Sequence, residues 1–145
     1  VGVNSRLDSI QAAVLDAKLP HLDEYIAARQ AAAAYYDKAF ADNPHILIPA
    51  RAKNSTHVFH QYTLRLVDVD RDALREGLTQ AGVPAMIYYP VPLHMQKAYQ
   101  DPRYTAGDFP VAEQLAACVL SLPMHTELDE EQLAYITETV NRLTV

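Results

Sequence analysis

Glycine, cysteine, tryptophan and net positive charge are all scarce in this sequence, and each shortage narrows what the chain can be. Only four of its 145 residues are glycine, and no two of these lie within four residues of each other. A glycine-rich loop that cradles phosphates through bare backbone amides is therefore not encoded. A single cysteine, Cys118, forbids an internal disulfide and predicts a reducing, cytoplasmic setting. Its place in the apolar run from Leu115 to Leu120 predicts a buried, inert thiol on a helix. The net charge is −6, and Arg71, Arg75 and Arg103 are scattered among acids. With no basic face, the pattern argues against nucleic acid as a partner. No apolar run approaches the ~20 residues that span a bilayer, so no membrane partner is expected. The chain opens on Val1, without methionine and without a signal-peptide pattern, which predicts a piece of something longer.

Catalytic patterns are equally sparse. No serine sits in a Gly-x-Ser-x-Gly elbow. None of the six histidines is paired at helical spacing around an acid, and an alternating strand would put His57 and His60 on opposite faces. No metal site is expected, and no complete active site can be assembled from this chain alone.

What is present is half apolar, enough for one core. A helix is expected to open at Asn4 or Ser5, with Leu7, Ile10, Val14 and Ala17 as its stripe. Pro20 should bend it into a second helical stretch running from Leu22 to Phe40. Ile46–Ile48 reads as a short strand. Alternation from His57 to Leu66 reads as a longer one, with Val58, His60, Tyr62, Leu64 and Leu66 inward and His60 a core histidine. Asp70 and Gly82 bracket a helix. A strand is expected from Pro84 to Tyr89, a short helix from His94 to Tyr99, and a helix after Asp108 with Ala112, Leu115, Val119 and Leu120 inward. Asp129 and Gln132 should box the start of the last helix, with Leu133, Ile136, Val140 and Leu143 as its stripe. The sum is an α+β layer: a long bent N-terminal helix and a small, mostly antiparallel sheet with helices on one face.

Three polar clusters stand out. In Gly2-Val-Asn4-Ser-Arg6-Leu-Asp8, an amide and a guanidinium at a helix start could bind two anions, although an ordinary cap and a solvated arginine also account for the pattern. In Ile87-Tyr-Tyr-Pro-Val-Pro-Leu-His94, paired phenols at a strand end are stiffened by prolines, and core tyrosines before a turn explain the pattern as well. The third cluster is His57-Val-Phe-His60-Gln61-Tyr62.

Together these blocks change the reading. The segment from Gly2 to Ala13 resembles the Gly-x-Asn-x-Arg-Met/Leu-x-x-x-Gln-Ala stretch of the DegT/StrS-type sugar-nucleotide aminotransferases. The blocks His57–Tyr62, Tyr89–His94 and Leu120-Ser-Leu-Pro-Met-His125 follow in that family's order. The resemblance implies the C-terminal, small domain of a fold-type-I pyridoxal phosphate enzyme, spanning 1–145, with the cofactor domain and its catalytic lysine upstream. None of Lys18, Lys38, Lys53 or Lys97 falls in the matching context, so no catalytic residue is assigned and the isolated chain is expected to be inactive. It further implies a homodimer in which Asn4 bonds the cofactor phosphate of the neighbouring subunit. Arg6 would contact a nucleotide-linked keto sugar of polysaccharide biosynthesis, and Tyr88, Tyr89 and His94 would close over the sugar. Relatives carry His-Tyr where this chain has Tyr88-Tyr89, a departure that leaves the role of Tyr88 open. Glutamate is the expected amino donor. Two alternatives stay open: a pyridoxal-dependent sugar dehydrase, in which histidine replaces the upstream lysine, and a non-catalytic α+β interaction module.

Overall fold

Proline at position 20 organises the first forty residues. The structure, a computed structural model, describes residues 3–144. Helix α1 spans Ser9–Lys18, a single 3₁₀ turn follows at Leu19–His21, and helix α2 spans Leu22–Phe40. Proline offers no amide to the α-helical ladder and crowds the carbonyl four residues earlier, so the helix tightens before it resumes. The expected bend is therefore present. The start of α1 is not where Asn4 or Ser5 would put it. Asp8 is the cap, its carboxylate accepting the Gln11 amide at 2.8 Å. A carboxylate at that end also meets the positive pole of the helix, an advantage that Asn4 and Ser5 lack. Leu7 accordingly precedes the helix.

The sheet has three strands, β1 (Ile46–Leu47), β2 (Tyr62–Leu66) and β3 (Val119–Leu122), antiparallel throughout in the order β1-β2-β3. Register places Ile46 opposite Leu66, Leu64 opposite Leu120, and Tyr62 opposite Leu122. These six side chains are buried and share one face with α2, with helix α3 (Arg71–Gln80) and with helix α5 (Glu130–Leu143). Tyr36, Phe40, Leu78 and Val140 complete the interior of that layer. Small residues let α2 approach closely, Ala32 and Ala33 being buried, and the Tyr36 hydroxyl donates to the Pro123 carbonyl at 2.9 Å. On the opposite face, Thr63 and Ser121 are register partners whose hydroxyls lie 2.8 Å apart.

Several expectations are corrected. The strand anticipated from His57 begins only at Tyr62. Phe59 has φ 48°, which breaks the alternation, so Phe59 is buried while Val58 and His60 are exposed. His60 is thus not a core histidine. The cause is local: His57 Nδ1 accepts the Phe59 amide at 2.8 Å, a side-chain bond that competes with the ladder. The strand expected over 84–89 shrinks to a single bridge, Met86 with Ser121, because Pro84 and Pro90 remove donors on either side. His94–Tyr99 is not one helix but two 3₁₀ turns, Leu93–Met95 and Lys97–Tyr99.

Helix α4 spans Pro110–Cys118, yet Asp108 does not cap it. The Asp108 carboxylate accepts the Thr105 amide at 2.7 Å instead. Cys118 is half-buried at the helix end, Ala112 and Leu115 are exposed, and Val119 and Leu120 belong to β3. The brackets of α3 and the capping box of α5 are as expected, with Gly82 at φ 75°; Leu143 is exposed at the end of its stripe.

Candidate functional site

Most of the residues expected to form the site lie on exposed parts of the chain, His94 being the exception. Asn4 and Arg6 are on an exposed arm before α1, and Arg6 Nη1 donates to Asn4 Oδ1 at 2.8 Å. This bond uses the carbonyl side of the Asn4 amide and directs its NH₂ side to donate elsewhere. The helix-start seat for an anion expected at Asn4 is displaced: the free helical amides begin at Ser9, and that of Gln11 is taken by Asp8. Gly2, which opens the block, lies outside the described residues. Helix α1 itself buries none of its residues; Ile10 is 79% and Val14 54% exposed.

The second group sits beyond the Met86 bridge. Tyr88 and Tyr89, joined by a cis peptide bond, present their rings edge to face with centroids 5.6 Å apart. Tyr89 is 71% exposed and Tyr88 half as much. Tyr88 walls two hollows. One runs between the Tyr88–Pro92 segment and α4, against Tyr99, Leu115 and Val119. The other lies over the sheet and is lined by His60, Met86, Ser121 and Met124.

His94 is not displayed beside the phenols. Its side chain is only 8% exposed, and its Nε2 donates to Glu113 Oε1 at 3.0 Å. The imidazole packs against Phe109, centroids 4.8 Å apart. Glu113 also accepts the amide of Gly107 at 2.8 Å. These donors, the Gly107 amide foremost and then His94 and the Phe109 amide, hold the Glu113 carboxyl below its usual range. Nothing in the residue pattern marks Glu113 beyond its place in the first turn of a helix opened by Pro110.

The arrangement can bind anions at the arm and present phenols at the edge, but among the described residues it holds no acid–base pair beside a nucleophile. Lys18, Lys38, Lys53 and Lys97 are all exposed. A lysine that condenses with a carbonyl is normally activated by a desolvated pocket, which none of these has. The residues present offer pyridoxal phosphate no desolvated lysine among those described, while the Asn4 NH₂ is a donor of the kind a phosphate would take. No group of three potential metal ligands occurs among the described residues, and none of their helices is long and apolar enough to cross a membrane.

A helix-flanked antiparallel sheet carrying these blocks in this order matches the fold of sugar aminotransferase structures. The family model of the DegT/DnrJ/EryC1/StrS aminotransferases matches residues 1–141, and the chain belongs to that family. It is 42% identical over 142 residues to the UDP-N-acetyl-3-dehydro-alpha-D-glucosamine 3-aminotransferase of Acidithiobacillus ferrooxidans, covering 98% of this chain and 37% of that protein. Its fold is similar to that of DesV from Streptomyces venezuelae, solved in complex with a ketimine intermediate. There the TM-score is 0.91 at 38% identity, over 99% of this chain and 38% of that one. The PLP form of Spr1654 from Streptococcus pneumoniae shares the fold, with a TM-score of 0.86 at 24% identity, over 96% of this chain and 36% of that one. The chain thus spans somewhat more than a third of the length of the relatives it matches.

Proposed function

We propose that this chain is the C-terminal domain of a larger homodimeric pyridoxal phosphate enzyme that moves an amino group, from glutamate, onto a nucleotide-linked keto sugar. The observation that carries the reading is the exposed arm, where Asn4 and Arg6 are paired ahead of a helix with no buried residue. Such a pair serves a site completed by other parts of the protein. Family membership and the activity for which the Acidithiobacillus relative is named support the substrate class.

Pyridoxal phosphate supplies, when bound, the electron sink for the amino transfer. The Asn4 amide donates to its phosphate without adding charge. Arg6 holds a substrate carboxylate or phosphate through two parallel N–H groups. Tyr88 and Tyr89 lie over the sugar, where their phenols bond hydroxyls and their rings exclude water. On this reading the isolated chain is inactive, and treatment with pyridoxal phosphate and borohydride leaves no stoichiometric adduct at any one lysine.

The test is made in the full-length enzyme. Asn4→Ala should weaken cofactor retention roughly tenfold to a hundredfold, the loss of one charge-assisted bond. Arg6→Ala should leave retention intact and raise KM for the sugar nucleotide, and Arg6→Lys should rescue only in part. Mixing Asn4→Ala subunits with subunits lacking the upstream lysine should restore activity, because a site shared in trans leaves one intact site per heterodimer. No recovery above the sum of the two mutants refutes the shared site, and identical defects in both single variants refute the separate roles.

A further inference from the structure

No residue between Ala85 and Ala116 is buried. This long excursion carries Tyr88, Tyr89 and His94, yet beyond Ile87, which packs against the edge of the core, it sends no apolar side chain into it, so polar contacts must help fix its path. Most of its polar contacts are short-range: Asp101 with Arg103, Thr105 with Asp108, and Gln96 with the Val91 carbonyl. Glu113 is different in kind. One carboxylate, rooted in the first turn of α4, gathers donors from both ends of the excursion. From the near end comes His94 Nε2, 3.0 Å from Oε1. From the far end come the Gly107 amide, 2.8 Å from Oε1 and 3.0 Å from Oε2, and the Phe109 amide, 3.4 Å from Oε1. The Phe109 ring then fills the space between the His94 and Tyr104 rings, at 4.8 and 5.4 Å.

We propose that Glu113 is a positioning residue: by clasping His94 and the 105–109 turn together, it holds the Tyr88–Pro92 segment in the place from which that segment meets its ligand. His94 is two residues past Pro92, and the intervening Pro-Val-Pro stretch is stiff, so fixing the imidazole fixes the phenols. What the segment meets rests on the sugar-nucleotide reading above; the clasp itself does not. Glu113 acts through His94 and the backbone and touches no ligand.

Reach matters here more than charge. Glutamine keeps a carbonyl oxygen of the same reach, which in the Oε1 place accepts from His94 Nε2 and from the Gly107 and Phe109 amides. Aspartate keeps the charge but is one methylene short of spanning both ends. Glu113→Ala, →Gln and →Asp are therefore compared in the full-length enzyme, by hydrogen exchange and by steady-state kinetics. In the Ala and Asp variants the Gly107 and Phe109 amides should exchange about tenfold faster, while the β2–β3 amides stay protected. In the same variants KM for the sugar nucleotide should rise about tenfold with kcat within about twofold. Glutamine should restore most of both. Unchanged exchange in the Ala and Asp variants overturns the clasp. Faster exchange with an unmoved KM overturns the positioning role, and so does rescue by Asp but not Gln. If Ala also unfolds the sheet, Asp decides by the same criteria. An enzyme with no activity on any nucleotide sugar defeats the functional reading instead, and the exchange arm then judges the clasp alone.

Discussion

Removing the Asp37 carboxylate should cost more than its surface position suggests. Asp37 lies on α2 and accepts the Tyr62 hydroxyl at 2.7 Å through Oδ1, while Oδ2 pairs with Arg51. The two ends of this relay differ in solvent access. Tyr62 is fully buried, and burial, with the Asp37 carboxylate adding to it, pushes its hydroxyl well above the usual range, so it remains a donor. The Arg51 and Asp37 side chains keep 39% and 29% of their exposure. In Asp37→Ala the buried hydroxyl loses its acceptor, at roughly 1–3 kcal/mol. The partly exposed ion pair adds about 0–1 kcal/mol. Asp37→Ala should therefore destabilise by about 1–4 kcal/mol. Tyr62→Phe removes the donor but leaves Asp37 with Arg51, at about 1–2 kcal/mol. The two effects share one bond, so the double variant should fall short of their sum by about 1–2 kcal/mol. Urea unfolding of the four proteins reads this directly from the extrapolated free energies. A cycle additive within about 0.5 kcal/mol would show that the relay is not an energetic unit. The same relay sets the path of the 49–61 loop, because the Arg51 guanidinium stacks 4.4 Å from the Phe59 centroid and donates to the Pro49 carbonyl.

Two smaller effects accompany it. Asp129→Ala removes the side-chain acceptor of the Gln132 amide, one of the two bonds of the capping box on α5, and should lower stability by about 1 kcal/mol; an unmoved urea midpoint would contradict this. Acid should act through carboxyls whose folded pKa is depressed: Asp72 by Arg71, Asp101 by Arg103, and Glu113 chiefly by the Gly107 amide. Such groups stabilise the fold above their ordinary values and lose that contribution as pH falls through the lowered ones. The stability gap between wild type and Glu113→Ala should thus be constant near neutrality and close below about pH 4.5, the ordinary value for a glutamate. A gap that widens with acid would reverse the sign of the argument.

Where local signals and burial coincide, the fold was legible in the residues. Asp70 and Gly82 bracket α3, Asp129 and Gln132 open α5, and their stripes at Leu74, Leu78, Leu133, Ile136 and Val140 are buried. Legibility failed where a distant partner decides. Val119–Leu122 continues the helical spacing of α4, and only pairing with Tyr62–Arg65 makes it a strand. At Phe59 a positive φ in a bulky residue flips the faces of His57–Gln61, and nothing in the residue type announces it. The arm and the tyrosine pair could be picked out because their patterns are contiguous. The partner of His94 could not, since Glu113 lies nineteen residues further along and joins it only through the fold.

The first buried side chain of the described residues is Ala32. Everything from Val3 to Ala31, including α1 and the front of α2, adds nothing fully interior to the core. Selection therefore sees this stretch and the sheet layer through different measurements. A substitution at Leu64 is judged by whether the chain folds, and one at Asn4 or Arg6 only by what the arm does. In this chain on its own, screens that score abundance, solubility or melting will rate changes in the arm as neutral, even those that abolish its role. Its tolerance in such a screen would be a property of the readout, and its true constraint would emerge only under selection for activity.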